Sequence, residues 1–386
     1  MRRLVIAHPS PDLYGSDRQL LRSIEAARAA HWEVLLVLPS TGPLVELARR
    51  SGAEVRVVEF PVLRKSLLHP RRLLGLARDA LVAVRGAVRL LRTTRPDALY
   101  VNTVTIPWWI LAGRLSRTPV LAHVHEAEPD QHPLVGLALT APMLLARQVV
   151  ANSAAAADVL TGALPVLASR ITVLHNGVPG PPAPPEPRVR PDGAPWHLVV
   201  IGRLSPRKGI DVALDAVGLL LERGYDVTLE VCGTIFPGYE WYESELVARA
   251  AAPDLAGRVS LAGYVHPTWD RLAAADVVVV PSRAEPFGNT AVEGLLARRP
   301  LVASRVQGLM EVVQDEVTGL LVAPGEPVAL ADAVERLLVD GELRTALADR
   351  GEQDAQTRFS AALYDERIAA LLGRTVQNGA VHPADG

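Results

Sequence analysis

The chain has 386 residues, 49% hydrophobic and 21% charged, with one cysteine, Cys232, and ten histidines. That is enough for two ordinary domains; it argues against a minimal binding module, and it leaves neither a disulfide framework nor a close Cys/His cluster for structural zinc. The formal charge of −2 conceals a division: residues 1–190 carry 23 Lys+Arg against 14 Asp+Glu and residues 191–386 carry 17 against 28, which suggests a basic half that faces a partner.

The opening MRRLVIAHPSPD has only a short apolar stretch before His8 and Pro9, too short for the core of a signal peptide, so a reducing, cytoplasmic setting is expected. Short β-branched runs then recur at 4–8, 33–38, 54–60, 98–102, 119–124, 148–153 and 171–176 with helical stretches between them. Their near-continuous hydrophobicity predicts buried parallel strands covered by helices on both faces, hence a doubly wound domain over 1–178. The longest apolar run, Leu134 to Ala146, is interrupted by Pro142 and falls short of the roughly 20 residues of a spanning helix. Eight prolines in 179–195 deny the donors a helix or ladder needs, so this stretch reads as the interdomain linker. Strand patterns restart at 196–202, 226–233, 258–263, 276–282, 300–304 and 319–323, predicting a second α/β domain over 196–358. Apolar residues at helical spacing continue beyond it. A helix over 359–373 is expected to cross back to the first domain, with 374–386 a disordered tail.

Two doubly wound domains in series are expected to face each other across a cleft, with the chemistry at the carboxyl ends of their strands. The most informative segment is VVVVPSRAEPFGNTAVEGLLA, 277–297, a strand that passes through a polar turn into a helix starting near Gly288. Phe287, Gly288, Asn289 and Thr290 open that helix, where the amide end of the macrodipole favours an anion such as diphosphate. Glu293, one turn inside, is placed to accept hydrogen bonds from a ribose. Glu285 is placed to take the hydroxyls of a group on the other phosphate, so that the two bracket a nucleoside diphosphate sugar. LVVIGRLSPRKGIDVALDAV, 198–217, is a second strand, glycine turn and helix whose Arg203 and Lys208 are suited to the same diphosphate, one as a planar fork and the other as a point charge. In the first domain Gly15, Ser16 and Asp17 form the turn before the first helix, which helix capping alone would explain. His123, His125, Glu126 and Glu128 follow the fifth strand, and His125 is the candidate for contact with the transferred sugar or the attacking hydroxyl.

Taken together, YGSD at 14–17, HE at 125–126, ANS at 151–153, HNGV at 175–178, GRLSPRKG at 202–209 and SRAEPFGNTAVEG at 282–294 resemble the glycosyltransferase group one family, retaining enzymes of the GT-B fold. The resemblance spans nearly the whole chain. It implies an acceptor-side first domain and a donor-side second one. Glu285 would bind the donor sugar hydroxyls, Glu293 the ribose, and Arg203, Lys208 and the amides of 287–290 the diphosphate. Gly15, Ser16 and His125 would complete the site, and Gly263, Tyr264 and Val265 would lie near the base. Asp17 stands where many relatives have glutamate. No Asp-x-Asp pair follows a strand, so a metal-independent reaction without a cofactor is expected, with the sugar nucleotide as co-substrate.

The acceptor is expected to be a small-molecule, glycoside or lipid-linked hydroxyl of the cell envelope. Residues 64–95 hold nine Lys and Arg against one acid, Asp79, a basic amphipathic helix suited to the anionic inner face of the plasma membrane. It lacks interleaved aromatics, so nucleic acid is not an expected partner. The rival readings are a sugar-nucleotide epimerase on the same scaffold and a non-catalytic sugar-binding protein. A dinucleotide-dependent dehydrogenase is disfavoured because the first strand–helix turn has one glycine, Gly15, and no GxGxxG.

Overall fold

The computed structural model describes residues 1–63, 73–128 and 132–377, which form two compact units, 1–177 with the segment from Ala361 onward, and 178–360. In the first unit strands and helices alternate: β1 (Arg2–Ala7), α1 (Gly15–Ala29), β2 (Trp32–Leu38), α2 (Pro43–Arg50), β3 (Glu54–Val57), α3 (Leu73–Thr94), β4 (Ala98–Val101), α4 (Pro107–Ser116), β5 (Val120–Val124), α5 (Pro133–Thr140), β6 (Gln148–Ala151), α6 (Ala154–Ala163) and β7 (Ile171–Val173). The strands form one parallel sheet in the order β3-β2-β1-β4-β5-β6-β7. The central strands are buried as their hydrophobicity demands, but β3 and β7 are edges, with Glu54, Arg56, Thr172 and Val173 exposed; the expectation of uniformly buried strands fails there. One face of the sheet is covered by α3, α4 and α6 through Ala83, Leu91, Trp109 and Leu160, the other by α1 and α2 through Leu20, Ile24 and Leu44.

The second unit repeats the scheme with β8 (Trp196–Ile201), α7 (Ile210–Glu222), β9 (Val227–Cys232), α8 (Glu240–Ala250), β10 (Val259–Gly263), α9 (Trp269–Ala274), β11 (Val277–Val280), α10 (Asn289–Leu296), β12 (Leu301–Ser304), α11 (Leu309–Val312), β13 (Leu320–Val322), α12 (Pro327–Val339) and α13 (Gly341–Arg358). Its parallel sheet runs β10-β9-β8-β11-β12-β13. The proline-rich stretch is fastened to this unit: Arg188 pairs with Asp276 at 3.2 Å, and Arg299 donates to the Glu186 carbonyl at 2.8 Å.

The last helix, α14 (Ala361–Gln377), belongs to the first unit. Tyr364, Ile368, Leu371 and Leu372 join the core under α1, the Tyr364 hydroxyl meets Ser23 Oγ at 2.6 Å, and Arg22 Nε donates to Asp365 at 2.7 Å. It runs past the expected end at 373 because Thr375 is fully buried and satisfies its hydroxyl on the Leu371 carbonyl at 2.8 Å. Of the expected basic helix, 64–72 lies outside the described residues; α3 buries Ala83, Val84, Ala87 and Leu91 and exposes Arg78, Arg85, Arg89 and Arg92. Among the described residues no helix is long and apolar enough to cross a membrane.

Candidate active site

In an open parallel sheet the strand order reverses at one point, and the crossovers on either side leave to opposite faces, so the carboxyl ends of the two strands there are left uncovered for a ligand. In the second unit those strands are β8 and β11. β8 leads through Gly202 and Arg203 into a short 3-10 turn, Pro206–Lys208, and Gly209 then opens α7. Gly209 has φ +65°, and a Cβ there would lie 2.0 Å from the Pro281 carbonyl oxygen. Only glycine fits, and the turn is therefore pressed against the end of β11. The close approach brings Lys208 Nζ onto Glu285 Oε2 as an ion pair whose side chains are only 17% and 11% exposed.

The rest of the loop is fixed from several sides. Ser282 Oγ lies 3.4 Å from the same Glu285 oxygen, the Glu285 amide donates to Gln307 Oε1 at 2.7 Å, and the Gly308 amide donates to the Glu285 carbonyl at 3.0 Å. The Arg283 amide donates to the Arg207 carbonyl at 2.7 Å, while its guanidinium grips Asp211 at 2.8 and 2.6 Å, and the Tyr242 hydroxyl donates to Asp211 at 2.7 Å. Burial alone would raise the pKa of Glu285. The Lys208 and Arg207 charges and the hydrogen bonds from Lys208 and Ser282 outweigh it and hold the carboxyl below its ordinary range, ionised. The Arg203 guanidinium lies over the Phe236 ring, 3.3 Å from its centroid, a stacking that suits arginine better than lysine.

α10 starts at Asn289 directly behind Gly288, whose φ is +112° and whose Cβ would meet Leu309 Cδ2 at 2.6 Å. Its amide end, at Asn289 and Thr290, therefore lies a few residues past Glu285, anchored by the buried Phe287 packed edge-on against Phe359. Glu293 sits on the following turn and accepts from Thr268 Oγ1 at 3.0 Å, which ties α10 to the loop after β10. β10 ends at Gly263, at φ +70°, and the loop opens with the exposed Tyr264 and the half-buried Val265.

In the first unit the strand order reverses between β1 and β4. His8 follows β1 and Asn102 follows β4. His8 Nε2 meets Asp17 Oδ1 at 2.7 Å, Asn102 Nδ2 meets His8 Nδ1 at 3.0 Å, and His125 Nε2 meets Asn102 Oδ1 at 2.8 Å. Gly15, Ser16 and Asp17, expected as a turn, form the first turn of α1 behind the cap residue Tyr14, whose amide donates to Asp17 Oδ2 at 2.7 Å. Burial, and after it the neighbouring His123 and His8, hold the His125 pKa well below its ordinary value, and burial lowers that of His123 to about 3. His123 is structural, its Nδ1 2.6 Å from the Tyr100 hydroxyl. Glu126 turns inward, one oxygen on Thr103 Oγ1 and the other taking the His125 amide at 3.0 Å, and burial raises its pKa.

The structure thus joins Lys208 directly to Glu285, seats 287–290 at the start of the adjoining helix, and places Arg203 at the neighbouring strand end. Glu293 is tied through Thr268 to the segment that follows 263–265. Sequence reasoning missed Ser282, Gln307, Phe236 and the Arg283–Asp211–Tyr242 clamp in the second unit, and Asn102 and the role of His8 in the first. His8 and Asn102 carried a signal, since each is the last residue of a predicted strand, 4–8 and 98–102. Among the described residues no group of three or more His, Cys, Asp or Glu side chains is arranged to hold a metal ion.

Residues 187–354 match the family described as Glycosyl transferases group 1, and residues 14–179 match Glycosyltransferase Family 4. Over 176 residues the chain is 30% identical to the alpha-D-kanosaminyltransferase of Streptomyces kanamyceticus, covering 45% of this chain and 44% of that one. Over 245 residues it is 33% identical to the D-inositol 3-phosphate glycosyltransferase of Paenarthrobacter aurescens, covering 59% of each. The matched part spans less than half the length of the first of these curated relatives. Among solved structures, Anabaena HepE in complex with UDP and glucose superimposes with a TM-score of 0.82 at 23% identity, covering 97% of this chain and 100% of that one. The sucrose-phosphate synthase of Thermosynechococcus elongatus does so with a TM-score of 0.77 at 20% identity, covering 97% and 99%. At these identities the likeness is one of fold.

Proposed function

The chain belongs to the glycosyltransferase group 1 family and has the GT-B fold, and on that premise we propose that it transfers a sugar from a nucleoside diphosphate sugar to an acceptor hydroxyl with retention at the anomeric carbon. The observation that carries this reading is the Lys208–Glu285 pair at the strand ends of the second sheet, a few residues before the amide end of α10. A carboxylate kept ionised beside an ammonium and a helix N-terminus offers acceptors for sugar hydroxyls next to donors for diphosphate. Glu285 takes the sugar hydroxyls; Lys208, Arg203 and the amides of 287–290 take the diphosphate; Glu293 takes the ribose, and 263–265 flank the base. On the first unit Gly15, Ser16 and His125 belong to the substrate edge of the sheet.

In the transfer step the bond from the anomeric carbon to the phosphate oxygen breaks, and the acceptor oxygen bonds to the same face of that carbon. The acceptor proton passes to an oxygen of the departing diphosphate. Negative charge grows on that leaving group, and donors already fixed around it stabilise the transition state more than the ground state. Lys208, Arg203 and the helix amides supply this without a divalent ion, so turnover is expected to persist in excess chelator; its abolition would remove the metal-independent mechanism. The acceptor is a small-molecule or lipid-linked hydroxyl of the cell envelope, met in the cytoplasm or at the anionic inner face of the plasma membrane through the basic segment 64–95.

The test is a thermal-shift panel of UDP, GDP, ADP and TDP sugars, with a uridine diphosphate sugar first because the HepE structure holds UDP and glucose. A true donor at 100 times its dissociation constant stabilises by about 2.7 kcal/mol. No stabilisation by any of the four would overturn the donor assignment.

A further inference from the structure

We infer that Asp17, His8 and Asn102 are positioning residues, a buried chain of hydrogen bonds that holds the His125 imidazole protonated at Nε2 and leaves Nδ1 as the acceptor for a carbohydrate hydroxyl. This rests on the proposed place of His125 at the substrate edge of the first sheet.

The direction of the chain follows from its end. Asp17 Oδ2 accepts the Tyr14 amide at 2.7 Å, and Oδ1 lies 2.7 Å from His8 Nε2. An ionised carboxylate only accepts, so His8 Nε2 carries the proton and donates it. Its Nδ1 lies 3.0 Å from Asn102 Nδ2, an amide nitrogen that only donates, so Nδ1 accepts. That orients the Asn102 amide, whose oxygen faces His125 Nε2 at 2.8 Å and can only accept from it. His125, neutral because burial and its histidine neighbours oppose a proton, therefore has a lone pair at Nδ1. Running the chain backwards through neutral rings would set a lone pair of His8 against the Asp17 carboxylate.

The far end explains why such a chain would be kept. Among the described residues His125 Nδ1 is buried without a hydrogen-bond partner. A buried acceptor left unsatisfied is costly, and in a native structure it asks for a reason. A hydroxyl arriving from substrate supplies the missing proton. Backbone bonds already hold the strand ends, the His8 amide on Val37 at 3.2 Å and the Asn102 amide on the Ala7 carbonyl at 3.1 Å. The side-chain relay is thus not needed to shape the sheet; what it fixes is which nitrogen of His125 is protonated.

The test reads that proton directly. The full chain is labelled with 15N-histidine, and the His125 ring signals are identified by their loss in His125→Gln. The wild-type protein is expected to show the Nε2-protonated pattern for His125. In Asp17→Asn the new amide can donate to His8 and reverse the chain, so the Nδ1-protonated form should appear. Turnover of whichever of the four sugar nucleotides binds should then fall roughly tenfold, the worth of one oriented hydrogen bond. Asp17→Glu keeps an acceptor-only group and should restore both. An Nδ1-protonated wild type overturns the inference even if Asp17→Asn fails to fold. An unmoved tautomer with reduced turnover in Asp17→Asn makes Asp17 a helix cap only, and a switched tautomer with full turnover shows that Nδ1 takes no hydroxyl. The tautomer is read without substrate, so failure of every sugar nucleotide to bind would strike the proposed function and leave the relay standing.

Discussion

Lys208→Ala probes the two duties of one side chain, neutralising Glu285 and meeting the departing diphosphate. Two unit charges about 4 Å apart at an effective dielectric of about 20 attract by roughly 4 kcal/mol, and the cost of holding both out of water must be taken from that. With both side chains less than a fifth exposed, a double-mutant cycle with Glu285→Gln should give a coupling of about 1–3 kcal/mol. The effect has a defined pH sense. In the wild type the Glu285 carboxyl is held below its ordinary pKa of 4.5, so its contribution is present above that value and is lost as pH falls through the depressed one. Without Lys208, burial dominates and the pKa rises, so the deficit of the variant should widen from pH 4 to pH 7. Turnover is a separate measurement. Losing one electrostatic donor to a developing anion costs about 2–4 kcal/mol, or roughly 30- to 1000-fold in kcat/KM. The assay is nucleoside diphosphate release with the best-stabilising donor, alongside hydrogen exchange of the second unit for local stability. Stability coupling with normal kcat/KM would make Lys208 purely structural and refute the phosphate assignment.

Gly209→Ala should destabilise the second unit by at least about 2 kcal/mol, because φ +65° and a Cβ 2.0 Å from the Pro281 oxygen combine backbone strain with a collision; an unfolding transition within 0.5 kcal/mol of wild type would contradict the geometry of the turn. The exposed Arg78, Arg85, Arg89 and Arg92 of α3 should support sedimentation with anionic vesicles that salt weakens, each cation contributing about 1 kcal/mol. Association that is absent, or indifferent to salt, would remove the membrane from the list of partners.

The sheets were legible in the sequence because burial on both faces writes a strand as a run of Val, Ile and Leu, as in VVVV at 277–280 and LVIA at 4–7. No partner in space is needed to read such a run. The edges were read less well: β3 and β7 keep β-branched residues although half their positions or more face water, since an edge strand is hydrophobic on its inward positions only. The end of α14 was placed too early for a related reason. Thr375 reads as polar surface in sequence, and its hydroxyl is satisfied in the core by the Leu371 carbonyl and Gln148 Oε1.

The site divides along the same line. Residues whose chemistry depends on where they stand along the chain, such as Gly209 behind its turn or Asn289 at a helix start, are visible as local pattern. Residues whose chemistry depends on a partner are not. Lys208 and Glu285 were read as separate ligands for phosphate and sugar, yet at a separation of 77 in the chain they meet in one ion pair. Asp17 and Asn102 had no catalytic look at all. What joins them is topology: once β1 and β4 are neighbours at the reversal of strand order, whatever follows each strand must share one edge. A side chain two residues or fewer beyond either strand is then a candidate before any coordinate is known, and His8 and Asn102 both satisfy that condition. The direction of the hydrogen bonds is different in kind, since it is set by the one member that can only accept. A carboxylate at Asp17 therefore determines a proton on His125, three side chains away, and replacing it with an amide should be felt there first.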